Sequence, residues 1–462
     1  MSFVNRVPKN RPPFNVRPQK KARIPKWVGV SVLLAGVASL SAMGGAFLAV
    51  SLGTKPLQQS DLSAAEAAVF NQDDPIASAN SLQLPRLTRP VNLLMLGLKV
   101  TSSDIQDYDA VEREGYHSLV NSFEGLSDTM LMMRFDPRNE RIAVMSIPRD
   151  TRTNVDGQIT KINEANRDGG PALSAQSVSE LMGGIGIDRY IRINVQGVEK
   201  LIDALGGVVV DVPKDMKYQD DSQHLYINLK AGRQRLDGDK AMQFLRFRYD
   251  DNGDIGRVQR QQMLMRALVE QALNPTTIAR LPKILKVIQT HVDTNLSVEE
   301  LVALVGYAAQ SNRSNVQMLM LPGEFSSYED YDLSYWLPDY SKIDQLAEQY
   351  FGLSNFRSIS KQPDPSSLRV AIQDSTYDDM AVQSLIDDLY DTGYFNVFID
   401  KSWPEPLRET RIVAQRGDSD SAESIQRFLG VGEVRVESTG SLESDITIQL
   451  GQDWLDEHGE AL

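Results

Sequence analysis

Apolar and polar positions divide the chain into blocks. VNLLMLGL (91–98) is a nearly continuous apolar run, the pattern of a strand buried on both faces. TMLMMRF (129–135) and RIAVMSI (141–147) are two further strand-like runs, and DPRNE between them reads as a hairpin turn. The polar stretch 99–127 between the first two runs is a long loop, and loops of that length are usually functional or inserted. A helix is predicted from Pro171 to about Met182. Another places Val198, Leu201, Ile202 and Leu205 at i, i+3, i+4 and i+7 and stops at Gly206-Gly207. GVVVDVP and MQFLRFRY (242–249) read as strands, and Gln259–Leu273 as a helix. Further helices fill 276–312, where NLSVEELVALVGYAA opens with an N-cap at Ser297 and Glu300 at N3.

This interleaving predicts an α/β or α+β domain, a mixed sheet flanked by helices, over 91–275. Residues 276–357 form a helical extension and linker. After the Ser/Pro-rich break SISKQPDPSS (358–367) a second, smaller α/β unit spans 368–455: strands RVAIQDS, NVFID, RIVAQRG, EVRVES and DITIQLG, with helices to about Tyr394 and near Ser421–Leu429.

The N-terminal block is different. No charged residue occurs from Trp27 to Thr54, a stretch bounded by Lys26 and Lys55. About 20 apolar residues cross a bilayer as a helix, so 27–54 is read as a single transmembrane anchor. Residues 1–26 carry eight basic residues and no acid, which puts this tail in the cytoplasm and the rest outside. A cleaved signal peptide is the rival reading, since Ala49 and Ser51 are small enough for a cleavage site. Residues 55–90, rich in Ser, Gln, Ala and Pro, form an extracytoplasmic spacer containing a short helix at SAAEAAVF. The lipid bilayer is therefore the first expected partner, and the expected location is the cell membrane, crossed once with the main domains outside.

The chain has 462 residues, with 48 Lys+Arg against 62 Asp+Glu. Beyond the tail, 40 basic residues face all 62 acidic ones, so the outer part is strongly acidic. Such a body argues against nucleic-acid binding, which needs a broad basic face. With no cysteine, disulfides, thiolate metal sites and a cysteine nucleophile are excluded. The four histidines are scattered without metal-ligand spacing, and there is neither a GxxxxGK[ST] loop nor a GxSxG elbow. DDNGDIGR (250–257) imitates a calcium loop, but Ile255 replaces the glycine and Gln261 the final glutamate.

The arginines carry more information. On a strand, Arg246 and Arg248 of LRFRY share one face, and two neighbouring guanidiniums repel unless an anion joins them. Arg257 and Gln261 are i and i+4 at the start of a helix, whose face Leu264 and Leu268 continue inward. Arg149 ends a buried strand in SIPRD, and Lys161 follows in TKIN. Two readings stay open on spacing: a polyanion pocket, or salt bridges to Asp150, Asp250, Asp251 and Asp254.

At these residues the sequence resembles the LytR-CpsA-Psr family of cell-envelope proteins. The resemblance covers 91–275 through NLLMLG, LSDTMLMM, VMSIPRDT, KINEANRDGG, GVEKLIDALGGVVVDVP and LKAGRQRLDGDKAMQFLRFRYDDNGDIGRVQRQQ. Residues 368–455, ending in TIQLGQDW, look like the family's C-terminal domain. The resemblance implies a phosphotransferase that moves a glycopolymer from a polyprenyl-pyrophosphate carrier to a hydroxyl of peptidoglycan or a related envelope acceptor. A pyrophosphatase side activity belongs to the same expectation. The alternative is a non-catalytic protein that holds the lipid pyrophosphate and organises envelope assembly. By motif, Arg149, Lys161, Arg246, Arg248, Asp254, Arg257 and Gln261 correspond to pyrophosphate- or metal-site positions. Asp128 in LSDT corresponds to an acidic metal-site residue, which either holds Mg2+, with Asp254, or takes the acceptor's proton. One departure stands out. The first motif usually reads G-x-D, and here it is Gly97-Leu98-Lys99. Either Asp104, Asp107 or Asp109 substitutes for the acid, or Lys99 itself neutralises phosphate. Leu126 likewise stands where the family often has arginine.

Overall fold

The computed structural model describes residues 57–353 and 365–458, except 71–73, 79–84, 100–122, 221–224, 248–252, 275, 328–330, 332, 404–405, 416, 438 and 442. The basic tail, the expected span 27–54 and most of the 99–127 loop lie outside the described residues. Among the described residues, no helix is long and apolar enough to cross a membrane.

The long apolar runs assemble one six-stranded mixed sheet. We number its strands β1 (Val91–Lys99), β2 (Leu126–Asp136), β3 (Arg141–Ile147), β4 (Arg189–Asn194), β5 (Val292–Thr294) and β6 (Val316–Met320). Their order is β5-β4-β1-β2-β3-β6. β1, β2 and β3 are an antiparallel meander, with DPRNE turning between β2 and β3 as the pattern predicts. β4 pairs parallel to β1, and β6 parallel to β3. Parallel neighbours need crossover helices, and these account for the interleaved pattern. Leu94, Leu96, Met130, Met132 and Met145 are buried beneath α1 (Glu164–Leu181), which contributes Ala175, Val178 and Leu181 to the same core.

α1 corrects the expected helix start at Pro171. Helix begins already at Glu164, and Gly169 and Gly170 leave helical geometry (φ −155° and φ +59°), so that Pro171 restarts it. The break accommodates a residue that lacks an N–H and clashes with the preceding turn. α2 (Val195–Leu205) ends at Gly206 with φ +84°, as the Gly206-Gly207 pair predicts.

A second correction concerns 242–249. Of the residues expected as a strand, 242–246 instead belong to α3 (Gly238–Arg246), and 248–249 are outside the described residues. Asp237 caps it by accepting from the Lys240 N–H at 2.9 Å. Ala241 and Phe244, one turn apart, are buried in a side core with Ile202, Val210, Leu236 and Phe247. Helical spacing thus buries the apolar residues that alternation also explained. α4 (Gly253–Ala272) starts six residues earlier than expected. Beyond it lie α5 (Leu281–His291), α6 (Val298–Gln310) and α7 (Tyr340–Phe351). α6 carries the predicted Ser297–Glu300 capping box.

The C-terminal unit is a five-stranded sheet in the order Asn396–Ile399, Arg369–Asp374, Ile446–Leu450, Arg411–Ala414, Glu433–Arg435. Helices Asp379–Asp391 and Ser419–Leu429 bury Leu385, Leu389, Ile425 and Leu429 against it. It docks on the first domain through backbone. The Met318 N–H of β6 donates to the Val436 carbonyl at 2.8 Å, and the Tyr350 hydroxyl of α7 to the Gly417 carbonyl at 3.1 Å.

Candidate functional site

The site starts from an irregularity between β1 and β2. Gly97 pairs with Thr129 and Leu98 with Ser127, so Asp128 is an extra, unpaired residue on β2. Such a bulge bends the strand and re-aims the side chain. Gly97 leaves close room beside it: a Cβ there would stand 3.0 Å from the Thr129 Cβ, tighter than ordinary contact.

Arg149 follows β3 at the turn Pro148–Thr151, closed by the Thr151 N–H and hydroxyl on the Pro148 carbonyl. Its carbonyl accepts from the Asn163 N–H, and the Asn163 carbonyl accepts from the Ser127 N–H. The Asp128 and Arg149 segments are thus tied together by backbone. Across them Arg149 Nη1 donates to Asp128 Oδ1 at 2.7 Å, and Arg149 Nε to Asp150 Oδ2 at 3.3 Å. Lys161 ends the short hairpin Arg152–Val155/Gln158–Lys161, and its Nζ donates to Asp150 Oδ1 at 2.8 Å. The four side chains form one row of alternating charge.

That row is between a fifth and a third exposed. Ion pairs so accessible to water contribute about 0–1 kcal/mol each, so stability gives little reason to gather them. Burial works against the Arg149 charge, but Asp128 and Asp150 outweigh it and hold the guanidinium above its ordinary value. The row contrasts with Arg192–Asp293 and Arg189–Glu300, which are buried and tie β4 to β5 and α6.

Of the residues expected from sequence, Asp128, Arg149 and Lys161 are brought together. Arg246 is exposed at the last position of α3. Arg246 is on a helix rather than on the expected strand, and Arg248 is outside the described residues. Asp254 and Arg257 fall in the first and second turns of α4, with side chains outside the described residues. Gln261 is half-buried on the same helix, and Leu264 is buried as expected. Lys99 closes β1, its Cα opposite Leu126; its side chain is outside the described residues.

Two members of the site carry little sequence signal. Asp150 is legible in the sequence only as a salt-bridge partner, yet it is the acid joining both cations. Tyr335 has no local pattern at all. It comes from the segment before the strand Trp336–Pro338, whose Trp336 N–H donates to the Asp150 carbonyl at 2.9 Å. Its ring centroid lies 5.5 Å from Lys161 Nζ, within cation–π range.

A magnesium ion takes one or two carboxylates plus phosphate and water. Asp150 gives both oxygens to cations, and Asp128 gives one. Among the described residues, no group of three or more His, Asp or Glu side chains can hold a metal ion. The side chain of Asp254, the other expected ligand, is outside the described residues.

Residues 57–351 match the profile of the LytR_cpsA_psr family, and 367–454 that of the LytR cell envelope-related transcriptional attenuator. The chain belongs to the LytR-CpsA-Psr family. It is 30% identical over 314 residues to the polyisoprenyl-teichoic acid–peptidoglycan teichoic acid transferase TagU of Oceanobacillus iheyensis, covering 66% of this chain and 87% of the relative. It is 29% identical over 264 residues to TagU of Bacillus cereus, covering 56% and 77%. The crystal structure of B. subtilis TagV aligns with a TM-score of 0.47 at 26% identity, over 58% of this chain and 99% of that one.

Proposed function

We propose that the protein is a membrane-anchored extracytoplasmic phosphotransferase. In this reading it moves a glycopolymer from a polyprenyl-pyrophosphate carrier to a hydroxyl of peptidoglycan or a related envelope acceptor. The observation that carries it is the Asp128–Arg149–Asp150–Lys161 row, in a chain whose relatives are named teichoic acid transferases. Both cations are already held half-buried by carboxylates. An entering diphosphate replaces those partners without the cost of gathering charge anew. The Arg149 fork matches two phosphate oxygens, while Lys161 adds a compact charge.

The acceptor oxygen forms a bond to the sugar-linked phosphorus. The bond from that phosphorus to the bridging oxygen breaks, and polyprenyl phosphate leaves with the electron pair. Asp128, released from Arg149 as the diphosphate enters, takes the hydroxyl proton on its carboxylate. No protein nucleophile is required, because such transfers depend on positioning and charge neutralisation. Arg246, Arg248, Arg257 and Gln261 complete the pyrophosphate contacts. Residues 27–54 hold the domains at the outer face of the membrane. Water in place of the acceptor gives pyrophosphatase activity.

Lys99, where the family carries an aspartate, favours a second reading: a carrier that binds the lipid pyrophosphate without turnover. Incubating the detergent-purified full chain with the carrier-linked glycan, beside Arg149→Gln, separates the two. Release of polyprenyl phosphate by the wild type alone supports the transferase, and bound carrier that stays intact supports the second reading.

A further inference from the structure

The C-terminal sheet has two edges, and the first domain covers one of them. Beside the strand Glu433–Arg435, the Met318 N–H of β6 donates to the Val436 carbonyl, and the buried Glu437 accepts from Arg313. The opposite edge is the strand Asn396–Ile399, which pairs parallel to Arg369–Asp374. Among the described residues, no strand or bridge lies on its outer side.

The free N–H and C=O groups of an edge strand are a template for another strand, and sheets guard them with charge, proline or a bulge. This edge has no such guard. Residues 392–399, TGYFNVFI, contain neither a charged residue nor a proline, and the register with the inner neighbour runs without a bulge. Its apolar side chains also stay in water: Phe395 and Ile399 are each 61% exposed. The Phe395 ring stacks on exposed Tyr390, with 6.4 Å between centroids, which widens the apolar edge.

Backbone direction narrows what fits there. The Asp400 N–H donates inward to the Ile372 carbonyl at 2.9 Å. Backbone groups of successive strand residues point to alternate sides, so Asn396 and Phe398 also face inward. Val397 and Ile399 point theirs outward, and Phe395, one residue before the strand, falls in the same series. An added strand must set its own outward residues against these. A second copy of this strand does so when it runs antiparallel about a two-fold axis at Val397. Val397 then meets its own counterpart, and Phe395 meets Ile399 of the other copy twice, an aromatic and β-branched cross-strand pair. A register slipped by two residues sets Lys401 against Phe395, or Gly393 against Ile399, and loses that match.

We propose that the Asn396–Ile399 edge is a homodimer interface, at which two copies of this chain join their five-stranded C-terminal sheets into one. It stands apart from the transferase reading, since no residue of the Asp128–Lys161 row belongs to it. The ladder is short, so the dissociation constant is expected at about 1–100 μM.

The test is cysteine cross-linking of the full chain purified in detergent. The chain has no cysteine, so an introduced one is unique. Val397→Cys is expected to give a disulfide-linked dimer on mild oxidation, because hydrogen-bonded antiparallel pairs hold their Cα atoms about 5.5 Å apart, within disulfide reach. Asn396→Cys and Phe398→Cys, which do not face themselves across the axis, link about tenfold less or weaker still. Phe395→Cys and Ile399→Cys chains link when mixed and not when oxidised separately. Sedimentation equilibrium of the otherwise unaltered chain shows the dimer, and Ile399→Asp weakens it by about tenfold or more. Should Ile399→Asp disturb the fold, the mixed cysteine chains carry the test. A chain that stays monomeric at about 100 μM overturns the proposal, including one whose edge captures a foreign peptide instead. Equal linkage at positions 396, 397 and 398 overturns it too, as does a dimer that folded Ile399→Asp leaves unchanged.

Discussion

Arg149 Nη1 donates to Asp128 Oδ1 at 2.7 Å, joining residues 21 apart in sequence through a bulge in β2. Both side chains are near one-third exposed, so the pair adds about 1 kcal/mol at most to stability. Its role is chemical. Asp128→Asn is expected to lower turnover by about 10²–10⁴-fold, the range of a lost proton acceptor. Urea unfolding of the same variant moves by no more than about 1 kcal/mol. A large loss of stability with turnover per folded molecule intact marks the pair as structural instead.

The opposite balance holds at Asp293. It is fully buried, 2.6 Å from Arg192 Nε, and accepts from the Ser60 N–H at 2.7 Å and the Tyr190 hydroxyl at 3.3 Å. Asp293→Ala leaves a buried guanidinium without its partner and costs about 3–5 kcal/mol. Chemical denaturation reads this directly, and the remaining folded protein keeps its turnover.

Glu437 sets an acid limit on domain docking. Its folded-state pKa is depressed, so its contribution is complete above the unfolded value of about 4.5 and is lost as pH falls through the lower folded value. Glu437→Gln removes that part of the pH dependence and destabilises the protein at pH 7 by about 3–5 kcal/mol. Urea titrations of both proteins between neutral pH and about pH 3 check it. Parallel curves for the two proteins contradict the assignment.

Much of the architecture was legible because burial on both faces leaves a simple mark. The runs at 91–98, 129–135 and 141–147 became β1, β2 and β3, and the Ser297–Glu300 box opens α6. Over 242–246 the expected strand is helix, because L-R-F-R-Y (245–249) alternates while Ala241, Phe244 and Leu245 stand at helical spacing. Only the Asp237 cap and the side core around Phe244 decide for helix. Phe244→Ala is accordingly expected to cost about 3–5 kcal/mol by urea unfolding, as for a buried aromatic. At the site, sequence motifs marked Asp128, Arg149 and Lys161, but not that Asp150 links the two cations or that Tyr335 faces Lys161. Those depend on long-range contacts that leave no local period.

The decisive experiment for the transferase reading follows the carrier itself. The full chain, purified in detergent, is incubated with polyprenyl-pyrophosphate-linked glycan and a peptidoglycan acceptor, and mass spectrometry tracks the lipid. The wild type is expected to release polyprenyl phosphate as glycan joins the acceptor. Arg149→Gln, folded normally, does so about 10²–10³-fold more slowly. Wild-type release by Arg149→Gln, or a carrier left intact by the wild type, contradicts the reading.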